Sequence, residues 1–239
     1  MLPARRHSPV RASAAQSAQL IKADVAYGDD ERFVHRLEAF SDIVIGFSLA
    51  QLGLSFTVPA HMQDLFSKPI ALLAFGVTFG LVCALWMRHH KWFAHYFVPT
   101  RLTVTLNFLL LGTIVVLVYA LQLFVHFARS STDDNILALY FYITTFASVF
   151  ALFGIVHLVG IKQRFAALSP GLIASGYVQA FRQLGVAAGA VAFLVFAYGR
   201  HFEGRIYIML PLLIVVFSGL GRMIGGRLSK QIAGPADSA

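Results

Sequence analysis

Side chains that could hydrogen-bond, ionise or bind a ligand are scarce in this chain, and the densest group of them is Arg36-Leu37-Glu38-Ala39-Phe40-Ser41-Asp42. A second group is Trp86-Met87-Arg88-His89-His90-Lys91-Trp92-Phe93, and Asn107 follows as an isolated amide. On a helix Arg36 and Phe40 share a face through i,i+4 spacing, while Ser41 and Asp42 lie on another. Ionisable groups at or near membrane depth are costly and are normally paired. Trp86, Arg88, His89, His90, Lys91 and Asn107 are the partners expected for the first group, because all fall at one depth. A second reading stands beside this one: acids at the start of a helix are favoured by its dipole and need no function.

Catalytic chemistry would require a nucleophile with its base, paired carboxylates or a metal cluster. Between Ile43 and Thr132 the one acid is Asp64, and between Asn135 and Phe202 there is none. That argues against an enzyme and against a proton relay of buried carboxylates. His89, His90 and His95 lie in a basic, aromatic segment without a nearby Cys or acid, which reads as structural hydrogen bonding and not metal ligation. His126 and His157 fall near opposite ends of their segments and read as interfacial. No Gly-rich phosphate loop or nucleophile elbow is visible, and no cofactor is implied.

The elements that carry these residues are set by hydropathy. The 239 residues are 58% hydrophobic and 13% charged, against roughly 25% charged in ordinary soluble domains. Leu102–Phe127, Ile136–Ile161 and Leu184–Tyr198 contain no Asp, Glu, Lys or Arg, and such runs suit the roughly 20 residues a helix needs to cross a bilayer. The chain is therefore expected to be all-α and polytopic, with six transmembrane helices at about Asp42–Val58, Ile70–Met87, Leu102–Phe127, Ile136–Ile161, Gly176–Tyr198 and Ile206–Leu220. Connectors are expected at Pro59 to Asp64, Arg88 to Arg101, Arg129 to Asn135, Lys162 to Gly171 and Gly199 to Arg205. Pro211 is expected to kink the sixth helix. Cys83 reads as a packed thiol.

The net charge of +8 is spread between apolar runs, not along one polar face, so it points to topology and not to nucleic acid. Fifteen Lys and Arg fall on one side of the six spans and four (Lys68, Arg129, Arg200, Arg205) on the other. Both termini are accordingly expected in the cytosol. Residues 1–31 lack an apolar signal region and read as a disordered cytosolic tail, with a weak likeness to a transit peptide. Residues 32–227 form the membrane domain and 228–239 a cytosolic C-terminal tail. Gly76–Gly80, Gly185–Gly189 and Gly221–Gly225 each read GxxxG, a spacing that permits close helix packing.

Arg36, Phe40, Ser41 and Asp42 form an RxxxFSD pattern that resembles the opening of the first helix in the endolysosomal potassium channel family, transmembrane protein 175 and its bacterial single-repeat relatives. The Trp and His-His segment Trp86–Phe93 and Asn107 extend the resemblance, and the layout matches from roughly Arg32 to Gly225. It implies a homotetramer among membrane lipids, with the first helix of each subunit lining a central cation pore. The motif residues Arg36, Phe40, Ser41 and Asp42, with Trp86, His89, His90 and Asn107, would be a structural network anchoring that helix. Pore-facing positions would be Phe47, Gln51 and Leu54, which share a helical face, and apolar side chains would form the constriction. A constriction of that kind gates by dewetting and needs no charged ring.

Departures from the family pattern are also present. Phe47 stands where a small aliphatic is usual, Ala50 where the family has a threonine linked to potassium preference, and Gln51 where an aliphatic is usual. Ala120-Leu121-Gln122 replaces a proline-containing turn. The function implied is a potassium-permeable, weakly selective cation channel in a bacterial plasma membrane, potassium being the permeant ion. Alternatives are a non-conducting scaffold or partner-binding protein that keeps the fold, and a small secondary transporter, for which no inverted repeat is visible.

Overall fold

The computed structural model describes the backbone of residues 10–54, 69–127, 132–198 and 209–232, and side chains from residue 31 onward within those ranges, apart from 69–74 and 132. The connector Pro59 to Asp64, Lys68, Arg129, the segment Gly199 to Arg205, Val58 and Ile206 lie outside the described residues, as do the side chains of the N-terminal tail.

Among the described residues six α-helices succeed one another: α1 (Val10–Leu54), α2 (Pro69–Tyr96), α3 (Arg101–Phe127), α4 (Thr132–Arg164), α5 (Pro170–Ala197) and α6 (Met209–Ile232), with one 3₁₀ turn at Phe165–Ala167. The all-α expectation is met. Among the described residues five helices are long and apolar enough to cross a membrane: Glu31–Leu54, Arg101–Phe127, Asp133–Ala167, Pro170–Ala197 and Met209–Ile232. The protein is an integral, multi-pass membrane protein. In α2 the apolar stretch gives way to Arg88, His89, His90 and Lys91 while the helix itself continues to Tyr96.

The chain divides into two compact units, Met1–Phe40 and Ser41–Ala239. In the first, α1 is already helical from Val10, and its described side chains include a His35–Glu31 pair at 3.9 Å, one turn apart. Arg36 and Phe40 are exposed.

In the second unit, the remainder of α1 has two unlike faces. Ser41, Ile45, Ser48 and Leu52 are buried, at the three- and four-residue spacing of one helical stripe. Ile45 and Leu52 pack with Val82 of α2 and with Leu111 and Val118 of α3, flanked by Val44, Leu49 and Phe75. The Ser48 hydroxyl donates to the Val44 carbonyl at 3.0 Å, which removes a polar group from the apolar contact.

A second core joins α4 to α5 through Leu139, Ile143, Ala147, Ala190, Phe193 and Ala197, with Met209, Leu210 and Leu213 of α6 against it. Two of the three GxxxG stripes lie in the α5–α6 contact, each against the backbone of the other helix. A Cβ on Gly185 would collide with the Phe217 carbonyl, and one on Gly221 with the Phe181 carbonyl. At Gly189 and Gly225 it would stand 2.8 Å from the Leu213 oxygen and 2.7 Å from the Tyr177 oxygen. The α5 and α6 backbones therefore touch, as small residues permit. Gly76 and Gly80 meet nothing within 4 Å.

Helix ends differ from the hydropathy boundaries for local reasons. α2 runs nine residues past Met87, because Arg88–Tyr96 contains no breaker before Pro99. α5 starts six residues early, where the Ser169 side chain caps Leu172 N–H and Pro170 opens the helix. α6 continues twelve residues beyond Leu220, so Arg222, Arg227 and Lys230 are helical and the tail boundary at residue 228 falls inside a helix. Pro211 is the third of the described residues of α6.

Candidate functional site

The polar groups singled out by type and spacing converge where α1, α2 and α3 meet. Asn107 is fully buried on α3 and uses both ends of its amide: Nδ2 donates to Ser41 Oγ at 3.2 Å, and Oδ1 lies 2.8 Å from His89 Nε2. Because the amide nitrogen is committed to Ser41, Oδ1 accepts, and His89 carries its proton on Nε2. Ser41 and His89 are fully buried as well, so each of these bonds avoids the cost of an unpaired polar atom away from water.

At the rim of the same junction Trp86 Nε1 donates to Asp42 Oδ1 at 2.8 Å. The carboxylate makes this a charge-assisted bond, stronger than a neutral pair. The Trp86 ring stacks on His90 with centroids 6.1 Å apart and planes 24° from parallel. The His89 ring meets Trp92 edge-on at 5.9 Å and Phe93 at 4.8 Å. Ser41, Asp42, Trp86, His89, His90 and Asn107 are thus brought together. Arg36 and Phe40 belong to the first unit and are exposed there.

Trp92 and Tyr96 continue the aromatic run toward the other helices. Trp92 Nε1 donates to the Val156 carbonyl of α4 at 3.1 Å, and Tyr96 Oη donates to the Leu172 carbonyl of α5 at 2.9 Å. His157, read from sequence as interfacial, is instead buried: its Nδ1 lies 2.8 Å from the Phe153 carbonyl and its ring 5.5 Å from Tyr96. Hydropathy places a histidine by its distance from the end of an apolar run, and α4 extends past that end to Arg164.

The opposite face of α1 carries the other candidates. Phe47 is 71% exposed, Leu54 is 85% exposed, and Ala50 and Gln51 are exposed with them. Ile43, 56% exposed, begins the stripe one turn earlier. Near the last described residues of this helix, Gln122 Nε2 of α3 donates to the Gln51 carbonyl at 3.3 Å. Gln122 was not singled out for this role by sequence; it was noted only as part of the segment that replaces a family turn.

Comparison with known proteins bears on this junction. Residues 36–118 match the family model described as endosomal/lysosomal potassium channel TMEM175. The family resemblance holds. The TMEM175 match spans the motif, the Trp86–Phe93 segment and Asn107, and so includes Ser41, Asp42, Trp86, His89 and Asn107, which meet between α1, α2 and α3. A curated relative from Marivirga tractuosa, named as a potassium channel, is 32% identical over 92 residues, or 38% of this chain. The matched stretch spans 37% of that relative's length. Among solved structures, the TMEM175-type fold recurs in a variant of the potassium channel MtTMEM175 bound to a nanobody–MBP fusion. That chain has a TM-score of 0.63 at 21% identity, with 82% of this chain and 93% of the other covered. A lysosomal potassium-selective channel TMEM175 homologue from Chamaesiphon minutus gives 0.59 at 18% identity, covering 80% and 97%.

Proposed function

We propose that this chain forms a potassium-permeable, weakly selective cation channel, a homotetramer in which α1 of each subunit lines the pore. The observation that carries the reading is the two-sidedness of α1 within the segment matched by the channel family. One stripe is locked to α2 and α3, while Phe47, Ala50, Gln51 and Leu54 face outward, and among the described residues nothing covers so large an apolar exposure. Four such faces around an axis enclose a narrow apolar path, in which wetting controls conduction. The network of Ser41, Asp42, Trp86, His89 and Asn107 then serves to hold α1 at a set angle. Both termini lie in the cytosol, by the distribution of Lys and Arg, and the host membrane is a bacterial plasma membrane whose lipids surround α4 to α6.

Purified protein in liposomes loaded for a potassium flux assay tests this directly. Flux above that of empty vesicles is expected, and Phe47→Ala is expected to raise it several-fold by widening and wetting the constriction. No flux at any of several potentials and pH values ends the channel reading. Unchanged flux in Phe47→Ala removes the constriction from that position.

A second reading, a non-conducting membrane scaffold on the same fold, is favoured by the bulk of Phe47 and by Ala50 in place of a threonine. Absence of flux together with recovery of a stoichiometric partner in a pulldown supports it.

A further inference from the structure

Arg88 was expected to join the polar group at α1, and it turns the other way. Its Nη1 donates to Gln183 Oε1 on α5 at 2.9 Å, and its guanidinium lies 5.5 Å from the centre of the Phe150 ring on α4. Gln183 is fully buried, and its Nε2 has no hydrogen-bond partner among the described residues. The neighbouring charges make the site more positive. Arg182, adjacent to Gln183, is close enough that its charge opposes that of Arg88. Lys91 follows one turn later on α2 and is exposed. No Asp or Glu pairs with Arg88 or Arg182 among the described residues, and α4 and α5 contribute no acid after Asp134.

Position adds to the cost. Arg182 is the thirteenth residue of α5, which puts it about 18 Å along a helix rising 1.5 Å per residue. If the apolar run ends at Tyr198, a hydrocarbon core of about 30 Å reaches back to near Val178, so Arg182 sits about one turn inside it. Arg88 and Arg182 are both half-buried, and the acceptor that Arg88 reaches, Gln183 Oε1, is neutral, so the two charges are electrostatically incomplete. Guanidinium groups near an unused amide N–H suit the oxygens of a phosphate group, which accept several charge-assisted bonds at once.

We propose that Arg88, Arg182 and the Gln183 carboxamide form a phosphate-binding site between α2, α4 and α5. The phosphate belongs either to the headgroup of an anionic phospholipid reaching in from the adjacent leaflet or to a free anion. The Gln183 amide, bonded to Arg88 through Oε1, keeps that guanidinium from turning outward and offers Nε2 as a further donor.

The test uses the purified full chain in two arms. Native mass spectrometry compares retention of phosphatidylglycerol with that of phosphatidylcholine, and calorimetric titration measures uptake of inorganic phosphate. Preferential retention of phosphatidylglycerol that falls about fivefold in Arg182→Gln, the factor one basic residue contributes at an anionic surface, and returns in part with Arg182→Lys, supports the site with lipid as the source. Uptake of inorganic phosphate lost in Arg182→Gln supports it with a free anion. Where Arg182→Gln does not give a folded, monodisperse protein, Gln183→Met is read in its place. Equal retention of the two lipids without phosphate uptake, or preferences unchanged in the folded variants, overturns the proposal.

Discussion

Asn107 is the residue on which the α1–α2–α3 junction turns, because its single amide satisfies a buried hydroxyl and a buried imidazole together. Asn107→Ala removes the acceptor of His89 Nε2–H and the donor to Ser41 at once. A buried polar group stripped of its partner costs about 1–3 kcal/mol. The expected outcome is a clear fall in the thermal unfolding midpoint of the detergent-solubilised protein. Asn107→Asp, which keeps an acceptor for His89, should fall less. Equal melting of wild type and Asn107→Ala would mean that water replaces the amide. These residues were legible in sequence because Ser41, Asp42, Trp86, His89 and Asn107 are conspicuous polar groups at one depth in apolar surroundings, so their pairing follows from the cost of leaving them unpaired. Gln183 meets the same condition, a polar group in apolar surroundings, but its sequence position marks no partner for it. It stands beside Arg182, and nothing in local spacing tells whether a glutamine points into the bundle or out of it.

Among the elements, the three GxxxG stripes look alike in sequence and differ in structure. Gly221 and Gly185 abut carbonyl groups of the facing helix, which cannot move aside as a flexible side chain can, while Gly76 and Gly80 have open space where a Cβ would go. Gly221→Ala should therefore separate α5 from α6 and destabilise the chain by about 1–3 kcal/mol, as overpacking does. Gly76→Ala should leave the packing within one chain intact and gain slightly in helix propensity. Thermal unfolding of both variants under conditions that keep the protein monomeric checks the contrast; equal loss in the two would contradict the assigned packing. A spacing rule finds surfaces that permit close approach, whereas which two surfaces meet depends on helix order and rotation. The same limit explains the helix ends. Hydropathy registers where an apolar run stops, and α2 and α6 continue as helices past that point with Arg88–Tyr96 and Gly221–Ile232.

For the whole molecule, the deciding feature is the outward stripe of α1, which in one chain leaves Phe47 and Leu54 largely exposed. A lipid-facing helix could tolerate apolar exposure, but Gln51 in the middle of the stripe would then place an amide against hydrocarbon, where its polar atoms have no partner. Around a shared axis the same glutamine faces water or its own copies. Symmetry makes this testable, because a closed cyclic assembly brings one residue from every subunit toward the axis. Cys83 is the chain's sole cysteine, half-buried on α2, so Cys83→Ser gives a clean background. In that background Leu54→Cys should form disulfide-linked dimers in membranes on mild oxidation, while Leu212→Cys, exposed on α6, should not. Denaturing gels without reductant read the result. Strong cross-linking at Leu212 with none at Leu54 would place α1 at the lipid boundary and remove it from the pore, even if the protein still assembled.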